Sequence, residues 1–318
     1  MNELFSRVIR VQWSGLLAVC ILAVLALTIV SPNFLSEYNA FVFLRSLCVS
    51  LLVAYSQMVM LGVGQMNLSI GALGGLVAVI VGGLMDAWGV PTLPAIAIAL
   101  AAGGVAGLVN GWLTVRTGIN GFIVTLATGS AFAGINLGIT KAIPFYNLPA
   151  DFVAFGNGRL GPIPNLLIVP LIVSVLLVVF FSRTVTGRHM LAVGGNSHAA
   201  ELSGLSPNKA IIEAHALSGL LAAAAGILAV AQLGSAQPSI GADWLIISFA
   251  APIIGGASLA GGSISITGTL LAVVLIGLIQ NAMVLLQVDP YWVTFLLGAL
   301  ILAAVWLNRY RAVRVGED

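Results

Sequence analysis

Charge is what this sequence has least of. Lys, Arg, Asp and Glu make up 7% of its 318 residues, where a soluble domain carries about a quarter. A surface in water needs charge to stay solvated. Most of the outer surface must therefore face another solvent, and the bilayer is the one that suits it. A formal net charge of +2 leaves no footprint for nucleic acid, so none is expected as a partner. Cysteine is nearly absent: Cys20 and Cys48 each lie in an apolar run and form neither a metal spacing nor a disulfide framework, so no metal site is expected. Lysine is reduced to Lys141 and Lys209. Neither closes a G-x-x-x-x-G-K-[ST] loop, so the chain has no P-loop with which to hydrolyse ATP. H-E-x-x-H, paired Asp motifs and Ser–His or Cys–His pairs are missing as well, and no enzymatic activity is expected of this chain.

What is present is apolar residues, 60% of the chain, in runs of the length that crosses a membrane as a helix, about 20 residues. Candidate spans lie near 13–31, 41–63, 68–88, 93–115, 121–140, 164–182, 209–232, 243–258, 264–287 and 290–308. The first run is longer than the apolar region of a signal peptide and no A-x-A site follows it, so it reads as a retained helix. Cationic residues favour the cytoplasmic side of a membrane. With the N-terminus inside, Arg7, Arg10, Arg116, Arg183, Arg188, Lys209, Arg309, Arg311 and Arg314 fall in the cytoplasm, and only Arg45, Lys141 and Arg159 outside. The expected fold is an all-α polytopic transmembrane bundle of about ten spans with both termini cytoplasmic. It forms one permease domain over 1–318, with the membrane bundle at 13–308. Trp13, Trp88, Trp112, Trp244, Trp292 and Trp306 fall near expected helix ends, at the headgroup level that indole prefers. The stretch 143–163 reads as an external loop and 183–208 as the longest cytoplasmic one. Gly103, Gly107 and Gly111, spaced four apart, line one helix face and suit close helix packing.

Carboxylates are scarce at membrane depth. Glu37, Asp86, Asp151, Glu201, Asp243 and Asp289 read as loop or helix-end residues, so the acidic ion sites common in ion-coupled carriers are not expected. Glu213 is placed near the inner end of its span, four residues after Lys209, and His215 is expected to bond a neighbouring carbonyl. Neutral amides and hydroxyls remain to line a path for an uncharged, hydroxyl-rich solute: Gln57, Asn67, Ser69, Gln232 and Asn281 are the candidates. Gln65, Asn110, Asn120, Asn136 and Gln280 are further amides in or beside spans.

The stretch Gly187-Arg188-His189-Met190-Leu191-Ala192-Val193-Gly194-Gly195-Asn196-Ser197-His198-Ala199-Ala200-Glu201-Leu202-Ser203-Gly204 resembles the cytoplasmic loop of the ribose-type (monosaccharide) branch of bacterial ABC-importer permeases, roughly G-R-x-x-x-A-x-G-G-N-x-x-A-A-x-x-S-G. Phe122–Thr128, Ser235-Ala236-Gln237-Pro238 and the block from Gly255 to Gly262 followed by Gly268-Thr269 resemble further segments of that family. One position departs: where the family commonly has G-I-D-L-S-x-G, this chain has Gln65-Met66-Asn67-Leu68-Ser69-Ile70-Gly71, an amide in place of a carboxylate.

The resemblance implies a multi-pass protein of the bacterial inner membrane that forms the path of an importer, with a second permease chain, identical or different, beside it. It implies a periplasmic sugar-binding protein outside and a cytoplasmic ATPase inside. ATP and Mg would be bound by that ATPase, leaving this chain without a cofactor. It also implies that a short helix within 183–208 docks on the ATPase through Gly195, Asn196, Ala199, Ala200, Glu201, Ser203 and Gly204. Asn196 or Ser197 can cap such a helix and Gly204 can end it in a left-handed turn. A stand-alone carrier for a small uncharged solute is the alternative.

Overall fold

Long apolar runs leave the backbone one way to satisfy its polar groups in lipid, which is to pair them within helices. The computed structural model describes residues 13–289 and, beyond them, Trp292, Phe295, Gly298, Ala299 and Leu302. The expected span 290–308, Trp306, the cationic residues of both tails and the placement of the termini lie outside the described residues. Among the described residues the helices in chain order are α1 (Ser14–Val30), α2 (Glu37–Gly62), α3 (Ile70–Asp86), α4 (Thr92–Thr117), α5 (Gly121–Thr140), α6 (Ala150–Asn157), α7 (Ile168–Arg183), α8 (Val185–Gly195), α9 (Ser197–Leu202), α10 (Pro207–Leu233), α11 (Trp244–Ile254) and α12 (Ile266–Leu285). A two-residue hairpin, β1 (Arg159–Leu160) with β2 (Ile163–Pro164), is the sheet.

Six helical segments are long and apolar enough to cross a membrane: α2, α4, α5, the 165–183 segment ending in α7, α10 and α12. α1, α3 and α11 are apolar but shorter. α2, α3 and α10 form the centre. Tyr55, Met58, Val77, Ala222 and Val230 on them are fully buried. The outer helices turn large apolar side chains outward, such as Leu22 and Ile29 on α1, Ile123 and Leu126 on α5, and Val175 and Leu176 on α7. So continuous an apolar exterior suits lipid.

The largest helix–helix interface joins α4 to α10, and the expected glycine stripe makes it. A Cβ on Gly103 would meet Ala223 Cβ at 2.3 Å, one on Gly107 the His215 carbonyl oxygen at 2.3 Å, and one on Gly111 Ile212 Cα at 2.7 Å.

Loop contacts sort the described cations to two ends. At one end Arg159 pairs with Glu37 at 3.3 Å, and Arg45 donates to Asn157 Oδ1 at 2.7 Å and to the Gln232 carbonyl. The 143–163 stretch is more ordered than a loop: it folds into α6 and the hairpin, and Asp86 holds it by accepting from the Tyr146 and Asn147 backbone N–H groups at 3.1 and 3.3 Å. The other end gathers Arg116, Arg183, Arg188 and Lys209 at the ends of α4 and α7, in α8 and at the start of α10. Lys209 pairs there with Glu213 at 3.8 Å.

Candidate functional site

Between α10 and α12 the chain does something its hydropathy does not announce. α10 ends at Gly234, which is left-handed at φ 68°, and the chain then turns back along α3 without helical structure. Ala236 pairs with Phe145 through backbone bonds of 2.9 and 3.1 Å, and the Pro238 carbonyl accepts from Asn136 Nδ2 at 3.0 Å. Three glycines on one face of α3 make the groove that holds this segment. A Cβ on Gly82 would meet Ala236 Cβ at 2.2 Å, one on Gly75 the Ile240 carbonyl oxygen at 2.3 Å, and one on Gly71 the Gly241 carbonyl oxygen at 2.2 Å. Helix resumes only at Trp244, whose indole lies against Gly74. α11 then runs to Gly255, against Gly268 near the start of α12. The expected span 243–258 is thus the helical second half of a longer crossing, and the first half, from 235, is irregular. An 11-residue helix covers about 16 Å and could not cross alone. Irregular backbone at membrane depth is tolerated where protein buries it or where it lines an aqueous cavity, and interrupted helices are where transporters hold their solutes.

A cavity of about 740 Å³ lies along this segment. Its polar lining comes from Ser46 and Ser50 of α2, Gln232 of α10, Gln237, Ser239 and Asp243 of the broken crossing, and Gln280 of α12. Two expectations are corrected here. Trp244 packs at the middle of the bundle rather than at headgroup level, because the helix it opens begins there. Asp243 does stand at a helix end, but that end is at the same depth. Periodicity locates helix ends along the sequence and not across the membrane.

Of the five expected path residues, the structure brings only Gln232 to this cavity. Gln57, Asn67 and Ser69 are fully buried elsewhere, where α2 breaks from α3. α2 ends at a left-handed Gly64, with Gln65 N–H bonded to the Met60 carbonyl at 3.0 Å, a six-to-one closure that frees the chain to turn. Gln57 Oε1 accepts from Asn67 N–H at 3.3 Å. Asn67 Oδ1 accepts from the Ser69 N–H at 2.9 Å and the Ser69 hydroxyl at 2.6 Å, and Asn67 Nδ2 donates to Ser218 Oγ at 3.1 Å. Asn110 Nδ2 donates to Ser69 Oγ at 3.0 Å. The knot ties α2, α3, α4 and α10 together. Asn281 exchanges hydrogen bonds with Asn39 at 2.8 and 3.1 Å, which fixes α12 to α2. His215 is fully buried, and its ring nitrogens have no partner among the described residues, in contrast to the expected carbonyl bond.

The 183–208 stretch, expected as a cytoplasmic loop carrying one short helix, holds two, α8 and α9. Thr184 caps α8 by accepting from Gly187 N–H at 3.1 Å, and Asn196 caps α9 by accepting from Ala199 N–H at 2.9 Å. Gly204, at φ 83°, follows the end of α9. Gly195, Asn196, Ala199, Glu201, Ser203 and Gly204 are exposed, whereas Ala200 turns inward and is buried against the chain's own core. Leu202, 78% exposed, is the apolar side chain that the surface of α9 presents. Six residues are too few for a helical period to assign faces, so the sequence alone does not single Leu202 out.

Comparison with known proteins supports the same picture. Residues 39–305 match the family described as branched-chain amino acid transport system / permease component. The ribose import permease protein of Bacillus subtilis (strain 168) is 34% identical, over 91% of this chain and 90% of that protein. The D-allose transport system permease protein of Escherichia coli (strain K12) is 34% identical, over 88% and 86%. The autoinducer 2 import system permease protein of Yersinia enterocolitica (serotype O:8 / biotype 1B, strain NCTC 13174 / 8081) is 31% identical, over 93% and 91%. No solved structure matches the chain. A broken crossing beside a polar cavity, in an all-α apolar bundle, is the architecture of a solute path, and the chain belongs to the branched-chain amino acid transport system permease family as a multi-pass membrane permease.

Proposed function

We propose that this chain is the path-forming subunit of an ATP-driven importer for a monosaccharide or a similar small, neutral, hydroxyl-rich solute. The observation that carries the reading is the cavity beside the broken crossing, whose polar lining is three glutamines, three serines and one carboxylate, Asp243. Neutral hydrogen-bonding groups match hydroxyls, and they let go of a solute more readily than a charge would. Relatives named for ribose and D-allose import agree with that chemistry.

The drive is assigned to partners. No phosphate-binding loop exists on the chain, and α9 offers a capped, exposed helix with Leu202 at the end rich in Arg and Lys. That end is read as cytoplasmic, with the ATPase docked on α9 and ATP and Mg bound there. The opposite end, with Arg159, Glu37 and α6, would receive a periplasmic solute-binding protein, and a second permease chain would complete the path. In this reading the bundle has about ten crossings with both termini in the cytoplasm. The residues proposed for the path are Gln232, Gln237 and Gln280. Gln57, Asn67, Ser69 and Asn281 would then act by holding the helices around it.

A stand-alone carrier is the alternative, and Asp243, a carboxylate at membrane depth, is the observation in its favour. Reconstitution separates the two. Vesicles holding the permease, the ATPase and the binding protein are expected to accumulate labelled pentose or hexose only with ATP. Accumulation by the permease alone, without ATP, would establish the carrier.

A further inference from the structure

Asp243 is hard to account for as a structural residue. Its depth follows from its neighbours. Trp244 lies against Gly74, and a Cβ on Gly74 would come within 3.2 Å of the Ala222 carbonyl oxygen. Ala222 is about 22 Å along α10 from Pro207, near the middle of that 27-residue helix. A carboxylate at that depth costs at least about 3 kcal/mol if it faces lipid. Yet Asp243 is exposed and makes no hydrogen bond or ion pair with any described residue. It does not cap its own helix, and the cavity it lines holds no cationic side chain. The carboxylate thus lines the cavity without a partner among the described residues.

Its surroundings indicate what the partner is. Asp243 and Trp244 are adjacent at the start of α11, and both line the cavity with Gln232, Gln237 and Gln280. A carboxylate has two acceptor oxygens, enough to take the O–H donors of two neighbouring hydroxyls. An indole offers a flat apolar surface to the C–H face of a sugar ring. Glutamine amides both donate and accept, which suits hydroxyls that do the same. We infer that Asp243 and Trp244 form a recognition site for adjacent hydroxyls of a neutral sugar or polyol inside the membrane path, so that the permease itself selects its solute. The inference rests on the importer reading above and adds a selectivity step to it. A monovalent organic cation would satisfy the carboxylate and the indole but make no use of the amides of Gln232 and Gln280; Gln237 already donates to Ser235 Oγ at 3.2 Å.

The test uses the assembled importer in vesicles, with the solute being whichever of a panel of pentoses and hexoses, D-ribose and D-allose among them, the unaltered complex takes up. Asp243→Asn is expected to lower uptake at limiting solute at least 10-fold, and Asp243→Glu to recover part of it. Independently of transport, Asp243→Cys gives a thiol to label, because the native Cys20 and Cys48 are both buried. A small membrane-impermeant maleimide is expected to modify it, and that sugar, but not tetramethylammonium, to slow the reaction several-fold. Unaltered uptake by the Asn variant overturns the inference and leaves the importer standing. So does a thiol that is unreactive, unprotected by sugar or protected by the cation. Absence of ATP-dependent uptake of every sugar by the unaltered complex overturns the importer reading itself.

Discussion

Asn67 shows how much one atom can carry in this bundle. It is fully buried at the break between α2 and α3, where its Oδ1 accepts from the backbone and side chain of Ser69 and its Nδ2 donates to Ser218. A carboxylate would accept the Ser69 bonds equally well. It has no donor for Ser218, and no cation pairs with Asn67 among the described residues to neutralise a charge there. The Ser218 hydroxyl can turn to donate to the carboxylate instead, so the cost is that of an unpaired buried charge, and Asn67→Asp is expected to destabilise the bundle by about 2–4 kcal/mol. The melting temperature of the detergent-solubilised chain reads it, and a melting point unchanged or raised at neutral pH would mean that the knot is wetter than its burial indicates. The sequence singled out this position through its departure from the family pattern, yet placed it on the path. Composition shows that a polar residue lies at membrane depth. Which partner satisfies it depends on residues far along the chain, here Ser218 on α10.

At the scale of the element, the legible and the hidden parts separate cleanly. Helices α1 to α5, α7, α10 and α12 lie where the apolar runs put them, because a run of about 20 apolar residues has one stable backbone solution in lipid. The descent from 235 to 243 is not legible, because a segment carrying Gln237, Pro238, Ser239 and Asp243 reads as a connection outside the membrane, and hydropathy does not tell such a loop from a polar segment that a protein groove carries inward. The signal for it was on α3, where Gly71, Gly75 and Gly82 share a face, rather than in the segment itself. Filling that groove is a direct test. Gly75→Val puts a branched side chain where the Ile240 carbonyl now lies, 2.3 Å from the Cβ position, so the segment must move. The chain should still insert, since hydropathy is unchanged or raised, and ATP-dependent uptake should fall at least 10-fold. Normal uptake by Gly75→Val would show that the segment does not shape the path. The docking proposed for α9 has a comparable test. Leu202 is outward and Ala200 inward, so Leu202→Asp should weaken ATPase binding in a co-purification by at least 10-fold while leaving the fold intact. Ala200→Arg should damage the local packing instead, seen as a lowered melting temperature. Equal co-purification of the Leu202→Asp variant would move the docking surface off α9.

In the whole molecule, a partner docked on α9 as proposed would have to move a cavity near the middle of the bundle. The contacts supply a short route made of backbone. The Gly62 carbonyl at the end of α2 accepts from Gly262 N–H at 3.2 Å. A Cβ on Gly194 would sit 2.0 Å from that same carbonyl oxygen, and one on Gly261 2.4 Å from the Gly194 carbonyl oxygen. Three segments therefore meet with no side chain between them: the end of α8 at Gly194, two residues before the Asn196 cap of α9; the break between α2 and α3; and the loop from α11 to α12. α11 leads directly from this junction to Trp244 and Asp243 at the cavity. Close-packed backbone is poorly compressible, so a displacement of α8 and α9 must pass to α11 rather than be absorbed by rotamer changes. Gly194→Val is expected to pry the junction open. ATPase co-purification should persist, since α9 and Leu202 are untouched. ATP hydrolysis should continue while solute uptake drops by at least 10-fold, which separates docking from transmission. Loss of co-purification together with uptake would mean that the junction builds the docking surface rather than relays its motion, and full uptake would remove it from the coupling route.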